Sequence, residues 1–237
     1  MGKLEGRDVP EEAKTRNRVL LALRPDARAF LEERQTPRPL RTGAVLFRDG
    51  EPRSHAIFPH EGVVAIVARM ADGRRAELAA IGLEGFVGFG LFDEGEARFG
   101  ATVVETPGSA AYVAAGDLAA ARERFACVRA TIERYATALI GQLMFSSACG
   151  CAHGAEQRIA RRLLETRDRM SGDTFALTQQ TLAEALSLRR ATVGATCAQL
   201  QQAGAIHYVR GIVTVVDRAR LEAAACECYR RIRAARL

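Results

Sequence analysis

Two adjacent guanidinium groups, Arg189 and Arg190, stand with the hydroxyl of Thr192 at the head of a stripe made by Val193, Cys197 and Leu200. The stripe recurs at i, i+4 and i+7, the spacing of one buried helix face. Arginine forks match phosphate oxygens and the paired acceptors of guanine. A helix that presents them from its N-terminal end suits a major groove. Upstream, Thr178 stands where a helix N-cap is needed, and Leu182, Ala183 and Leu186 give a shorter helix its apolar face. Ser187 marks the turn and is read as the cap of the second helix, which Gly204 ends. Ile206–Val209, Arg210-Gly211 and Ile212–Val216 read as strand, turn and strand. Residues 178–217 therefore predict a helix-turn-helix with a two-stranded wing, an element that reads DNA. The competing reading of this stretch is a helical hairpin used only for packing.

A second group of residues bears on metal chemistry. Cys149-Gly150-Cys151-Ala152-His153 offers two thiols and an imidazole, donors that suit zinc or copper, and Cys226 and Cys228 form a second C-x-C. This spacing departs from the usual C-x₂-C, and cysteine also packs as a small hydrophobe. Packing is the expectation here, and no metal site is assigned. Cys197 lies on the apolar stripe and is expected in the core. The four histidines, His55, His60, His153 and His207, form no Ser/His/Asp or metal-hydrolase pattern. GFVGFG at 85–90 lacks the strand and helix context of a dinucleotide loop. No enzyme is expected.

The elements that must position these groups follow from patterning. With 237 residues the chain can hold two modest domains. Its net charge of +6 suits a polyanionic partner. Arg158, Arg161, Arg162, Arg167, Arg169, Arg189, Arg190 and Arg210 crowd the last third, which places a basic surface with the winged segment. No run approaches the ~20 apolar residues of a membrane span, and the first 18 residues lack a secretion signal's apolar core. A cytoplasmic protein is expected, without a membrane partner. Asn17–Leu23 and Asp26–Glu33 suggest short helices. From Arg41, Val45–Phe47, His55–Phe58, Val63–Ala68, Ala76–Ala80 and Ala101–Val104 read as strands. Turn pairs fall between them at Asp49-Gly50, Glu61-Gly62, Asp72-Gly73, Glu94-Gly95 and Pro107-Gly108, predicting a small jelly roll. Asp117–Arg124, Cys127–Gly150 and Glu156–Met170 read as helices, the last with its arginines outward. On the long helix Val128, Ile132, Tyr135, Leu139 and Leu143 form an apolar seam that predicts a homodimer. The fold class is α+β: an N-terminal jelly-roll β-domain (1–115), a helical connector with a dimerisation helix (116–152), and a C-terminal winged helix-turn-helix (153–237).

This order of elements resembles the Crp/Fnr family of bacterial transcription regulators. The resemblance is carried by FPHEGVVAIVARMADGRRAELAAIGLEGFVG (58–88), EQRIARRLL (156–164), LTQQTLAEALSLRRATVGATCAQLQQAGAI (177–206) and CECY (226–229). It implies a cyclic-nucleotide-binding-like sensor domain, a homodimer, a two-fold symmetric operator in double-stranded DNA, and contact with RNA polymerase. It also implies that Gln179 and Gln180 meet phosphates, Arg190 a base edge, and Arg189 and Thr192 the backbone, with Arg210 in the wing as a further DNA contact. Ala191 and Ala195 stand where the best-known member carries charged base readers, so a different operator is expected. In cyclic-AMP-binding members a Gly-Glu pair is followed about ten residues later by Arg-Ser or Arg-Thr. Here Phe89 follows Gly88 and Phe99 follows Arg98. Phe89, Arg98 and Phe99 are the candidate pocket residues, and no tight binding of cyclic AMP is expected. Iron–sulfur members carry an N-terminal cysteine cluster; here no cysteine precedes Cys127, so no such cluster is expected. The rival reading is a ligand-binding or protein-interaction module whose winged helix is only a scaffold.

Overall fold

The computed structural model describes residues 15–73, 75–88 and 100–236. The chain divides into two units, one within residues 1–66 and 79–138, the other within 67–78 and 139–236.

The first unit opens on Asn17, which is fully buried. Its Oδ1 accepts the Val19 and Leu20 N–H groups and so caps α1 (Arg18–Leu21). Its Nδ2 donates to Pro59 O at 2.9 Å and Gly85 O at 2.7 Å, tying the helix to the sheet. Helix α2 (Pro25–Glu32) follows, its fixed-φ proline in the first turn. The sheet comprises β1 (Gln35–Leu40), β2 (Val45–Phe47), β3 (His55–Arg69), β4 (Arg75–Ile81) and β5 (Ala101–Ala114). Its order is β1-β5-β3-β4. Strand β5 pairs antiparallel with β1 through residues 108–113 and with β2 at Thr102 and Val103, so it serves two neighbours along its length. Leu40, Phe47, Ile57, Val64, Ile81, Val87 and Val104 fill the core.

Two expected turns are strand instead. Gly62 and Gly108 lie inside β3 and β5, where the two backbones cross closely. A Cβ on Gly108 would sit 2.1 Å from Glu61 O, and one on Gly62 2.7 Å from Thr106 O. Here glycine permits close approach, and at Gly62 also a positive φ of 97°, without reversing the chain, so His55–Phe58 and Val63–Ala68 fuse into one strand. Strand β1 had no sequence signal. Its Pro37 and Pro39 are tolerated because β1 is the end strand of this order. The Glu94-Gly95 turn lies outside the described residues.

Helix α3 (Ala115–Arg124) leads to α4 (Ala126–Ala152), about 40 Å long at 1.5 Å per residue. The division between the units falls within α4. The second unit continues with α5 (Ala155–Arg167), β6 (Thr174–Ala176), α6 (Gln179–Leu186), α7 (Arg190–Gln202), β7 (Ile206–Val209), β8 (Ile212–Val215), α8 (Arg218–Ala224) and α9 (Cys228–Ala235). Ile159, Leu163 and Leu164 of α5 meet Leu182 and Leu186 of α6, Val193, Cys197 and Leu200 of α7, and Val213 and Val215 of β8 in one core. The wing is three-stranded, in the order β6-β8-β7. Strand β6 has only three residues, too few for a periodic signal. The α+β class and the helix-turn-helix are as the sequence implied, and the wing adds β6 to the two strands expected. No helix among the described residues is long and apolar enough to cross a membrane.

Candidate nucleic-acid interface

The recognition geometry begins at Thr178, whose Oγ1 accepts the Thr181 N–H at 3.0 Å and starts α6. The helix ends when Ser187 turns left-handed, at φ 51°. Leu188 N–H then reaches back to Ala183 O at 2.9 Å and Ser187 N–H to Glu184 O at 3.3 Å, closing the orphan carbonyls. Ser187 therefore ends the first helix and does not cap the second. The backbone reversal needed its positive φ, and the N-cap position falls to Arg189. The same pair of closing bonds ends α7, where Gly204 adopts φ 72° and Ala205 N–H reaches Leu200 O at 3.0 Å.

Three bonds fix this frame against its surroundings. The Arg158 guanidinium donates to Leu186 O, a carbonyl the end of α6 leaves open. Tyr208 OH donates to Leu177 O at 2.6 Å, and Tyr208 N–H to Gln201 Oε1 at 2.8 Å, holding β7 to the ends of both helices. Burial pushes the Tyr208 phenol well above its ordinary value, so it stays a neutral donor. Sequence reading missed Arg158 and Tyr208 as positioning residues because their acceptors are backbone carbonyls, which leave no side-chain signature.

On this frame Arg189, Arg190, Ala191, Thr192, Ala195 and Ala198 are all exposed, while Val193, Cys197 and Leu200 are buried. Burial pushes the Cys197 thiol up to about 11, as a core thiol should behave. No side chain caps the N-terminus of α7, so its first N–H groups and the helix dipole are open to an anion. At the wing tip Arg210 and Gly211 have φ 49° and 81°, both positive as in a type I′ hairpin turn, and Arg210 is exposed. Among the described residues no ion pair or side-chain hydrogen bond engages Arg189, Arg190 or Arg210. Gln180 is exposed, and its amide donates to Glu184 at 2.7 Å. Gln179 is half-buried, with its amide lying over Gly194, where an added Cβ would meet Gln179 Oε1 at 3.3 Å.

Two sequence expectations change here. The arginines of α5 do not all face outward: Arg161, Arg162 and neighbouring Arg169 are buried. The seam on α4 is also largely satisfied within one chain. Val128 is 1% exposed, Ile132 and Tyr135 are buried, and Leu139 and Leu143 are half-buried. Tyr135 packs on Phe86, which stacks on Phe58 with ring centroids 5.1 Å apart. The apolar side chains that α4 leaves open are Ile140, 58% exposed, and Met144, 68% exposed. Phe89, Arg98 and Phe99 lie outside the described residues.

Comparison with known families places this geometry. Residues 157–224 match the Crp-like helix-turn-helix domain, and residues 37–125 match the cyclic nucleotide-binding domain. The two matches follow the family's order and together span well over half of the chain. The chain belongs to the Crp/Fnr family. Members are transcription regulators, not enzymes. Among solved structures, FixK2 of Bradyrhizobium japonicum is 19% identical, with a TM-score of 0.68 over 81% of this chain and 98% of its own. A CRP-family regulator of Thermus thermophilus is 21% identical, with a TM-score of 0.64 over 79% and 96%. CLP of Xanthomonas campestris, described as a global regulator responsive to c-di-GMP, is 21% identical, with a TM-score of 0.61 over 81% and 99%. At these identities the structures speak for the fold alone. No curated protein matches the chain in sequence. The protein is thus a DNA-binding regulator of the Crp type, carrying a cyclic nucleotide-binding domain beside its helix-turn-helix.

Proposed function

We propose that this regulator is a cytoplasmic homodimer that reads a two-fold symmetric operator through Arg190, with Arg189, Thr192 and Arg210 holding phosphates. The observation that carries the reading is the open face at the start of α7. Arginines without partners among the described residues stand beside an uncapped helix N-terminus, flanked by alanines. Arg190 is the long side chain on that face able to take guanine O6 and N7 together. The methyls of Ala191 and Ala195 suit thymine, and DNA shape supplies further selectivity. Gln180 serves a phosphate by releasing Glu184, and Gln179, half-buried over Gly194, is kept as a second phosphate contact. RNA polymerase enters as a partner through family membership.

Dimerisation is assigned to α4, through a stripe next to the one the sequence suggested. Thr137, Ile140, Met144, Ser147 and Cys151 are exposed and alternate at three- and four-residue spacing, the period of a two-helix seam. The effector is not cyclic AMP. In sequence, Phe89 follows Gly88 where the resemblance to cyclic-AMP-binding members calls for Glu, and Phe99 follows Arg98 where it calls for Ser or Thr. An ionised phosphate held by one arginine keeps much of its desolvation cost.

The test is selection of bound sequences from random duplex DNA by the full-length protein, with and without cyclic AMP, alongside sedimentation of the free protein. The expected result is a dimer and a palindrome with half-sites ~34 Å apart, enriched equally in both arms. Enrichment that appears only with cyclic AMP restores a nucleotide switch, and absence of any enriched sequence leaves the scaffold reading.

A further inference from the structure

The end of α4 and the start of α9 bring four metal-ligating side chains together from positions more than 70 residues apart. Cys149 is in the last turn of α4 and His153 directly follows the helix, its N–H still bonded to Cys149 O at 3.1 Å. Cys226 precedes α9 and Cys228 is its first residue. Cys149 Sγ lies 3.5 Å from Cys226 Sγ, and Cys228 Sγ lies 3.8 Å from His153 Nδ1. All four donor atoms fall within 4.8 Å of one another. Zinc–sulfur bonds of ~2.3 Å at tetrahedral angles would put sulfurs ~3.8 Å apart, close to what the side chains already show. The three thiols are buried and form a cluster of their own. Cys151, two residues from Cys149, is exposed and outside the cluster. Of the donors grouped by sequence at 149, 151 and 153, the fold keeps the first and third and replaces the second with the distant C-x-C.

The geometry points to a closed Cys₃His zinc site, formed by Cys149, His153, Cys226 and Cys228, that staples α9 to the end of α4. Two features beyond the donor set support it. The imidazole faces the thiols with Nδ1, while its Nε2 lies 3.2 Å from Glu227 Oε2. A carboxylate behind the non-ligating nitrogen is the usual partner of a zinc-bound histidine, fixing its tautomer and aim. The surrounding charge also fits. Three thiolates with one Zn²⁺ carry a net negative charge, and the positive charge of buried Arg161 acts on Cys149. With four protein ligands and no open position, the site is structural rather than catalytic. Beside it Arg231 of α9 lies over the Phe145 ring of α4. On its other side α9 is held by Tyr229, whose OH donates to Asp168 at 2.7 Å.

The test begins with the wild-type full-length protein, purified without chelator and without oxygen, and its metal content by elemental analysis. The expected result is about one zinc per chain, unchanged in Cys151→Ser and at least tenfold lower in Cys226→Ser and Cys228→Ser. Cobalt reconstitution should give the visible bands of tetrahedral thiolate ligation, a readout on the wild type that does not depend on a variant folding. Glu227→Gln should keep the stoichiometry and weaken affinity about 10–100-fold. Metal-free protein with all thiols reactive once unfolded, a Cys149–Cys226 disulfide in the oxygen-free protein, or iron or copper in place of zinc would each overturn the assignment.

Discussion

Helix α5 and the start of α7 are both arginine-rich, and their arginines serve opposite ends. In α5, Arg161 is buried and its Nη1 donates to Glu165 at 2.7 Å, Arg162 is buried, and Arg167 bonds Asp173 at 2.7 Å. Arg218 of α8 joins the same style of packing through Asp168 at 2.9 Å and Glu222 at 2.7 Å. At α7 and the wing tip, Arg189, Arg190 and Arg210 are exposed and without such partners among the described residues. The first set is structural, with desolvation offset by carboxylates within the fold. The second set keeps its charge for an outside anion. The clustering of basic residues in the last third thus overstates the surface available to DNA: the relevant quantity is unpaired positive charge, not arginine count.

The largest expected effect comes from breaking the buried set. Glu165→Gln leaves Arg161 buried without its counter-charge and should destabilise the fold by about 3–5 kcal/mol, measured by denaturant titration. The pH dependence has a defined sign. Burial alone would raise the Glu165 carboxyl, but Arg161, with Arg236, Arg169 and Arg162, outweighs it and holds the group below its ordinary 4.5. Its contribution is therefore complete above that value and is lost as pH falls through the lowered one. The variant should show a flatter acid limb than the wild type. An equal acid limb would move the acid-sensitive group elsewhere.

Next in size is the dimer contact, which sets Ile140 against Val128 on one helix. Ile140→Asp should weaken association by removing a side chain whose burial is worth ~1.5–3 kcal/mol, while leaving the monomer folded. Val128→Asp should instead unfold the first unit, since Val128 is already buried within one chain. Sedimentation with circular dichroism separates the two outcomes. A dimer unaffected by Ile140→Asp would place the interface off this stripe. For the open arginines, Arg190→Ala should cost ~1–3 kcal/mol on the selected operator, relax preference at one position per half-site, and leave thermal stability unchanged. Equal weakening on random DNA would reassign Arg190 to phosphate.

The contrast also shows where sequence reading works. Val193, Cys197 and Leu200 were legible because a helix repeats locally, and Thr178 and Gly204 because caps have residue preferences. Gly62 and Gly108 misled because glycine serves both turns and close backbone approach, and only the opposing strand decides which. Ser187 misled because a serine at a turn reads as an N-cap, while here its backbone rather than its hydroxyl is used. Arg161 and the α4 seam could not be placed because burial depends on elements far away in the chain. The Cys149, His153, Cys226 and Cys228 cluster has the same origin: each C-x-C is weak alone, and their juxtaposition needs α4 and α9 packed together.

The smallest stability effect gives the sharpest test of the open set. Arg210 occupies a left-handed position in a two-residue turn, where non-glycine residues are disfavoured by roughly 1–2 kcal/mol. Glycine or asparagine would suit that backbone better. An arginine with no structural partner among the described residues, held in a conformation it resists, implies that its side chain serves something outside the fold. Arg210→Gly should therefore raise stability modestly, by up to about 1 kcal/mol, while weakening binding to all DNA sequences alike. The slope of log affinity against log salt should shrink by about 0.9 for each phosphate that Arg210 no longer neutralises. If stability rises and the salt slope stays unchanged, the wing does not touch the backbone and the interface ends at α7. If stability falls, the Arg210 side chain supports the turn and belongs with the structural arginines of α5.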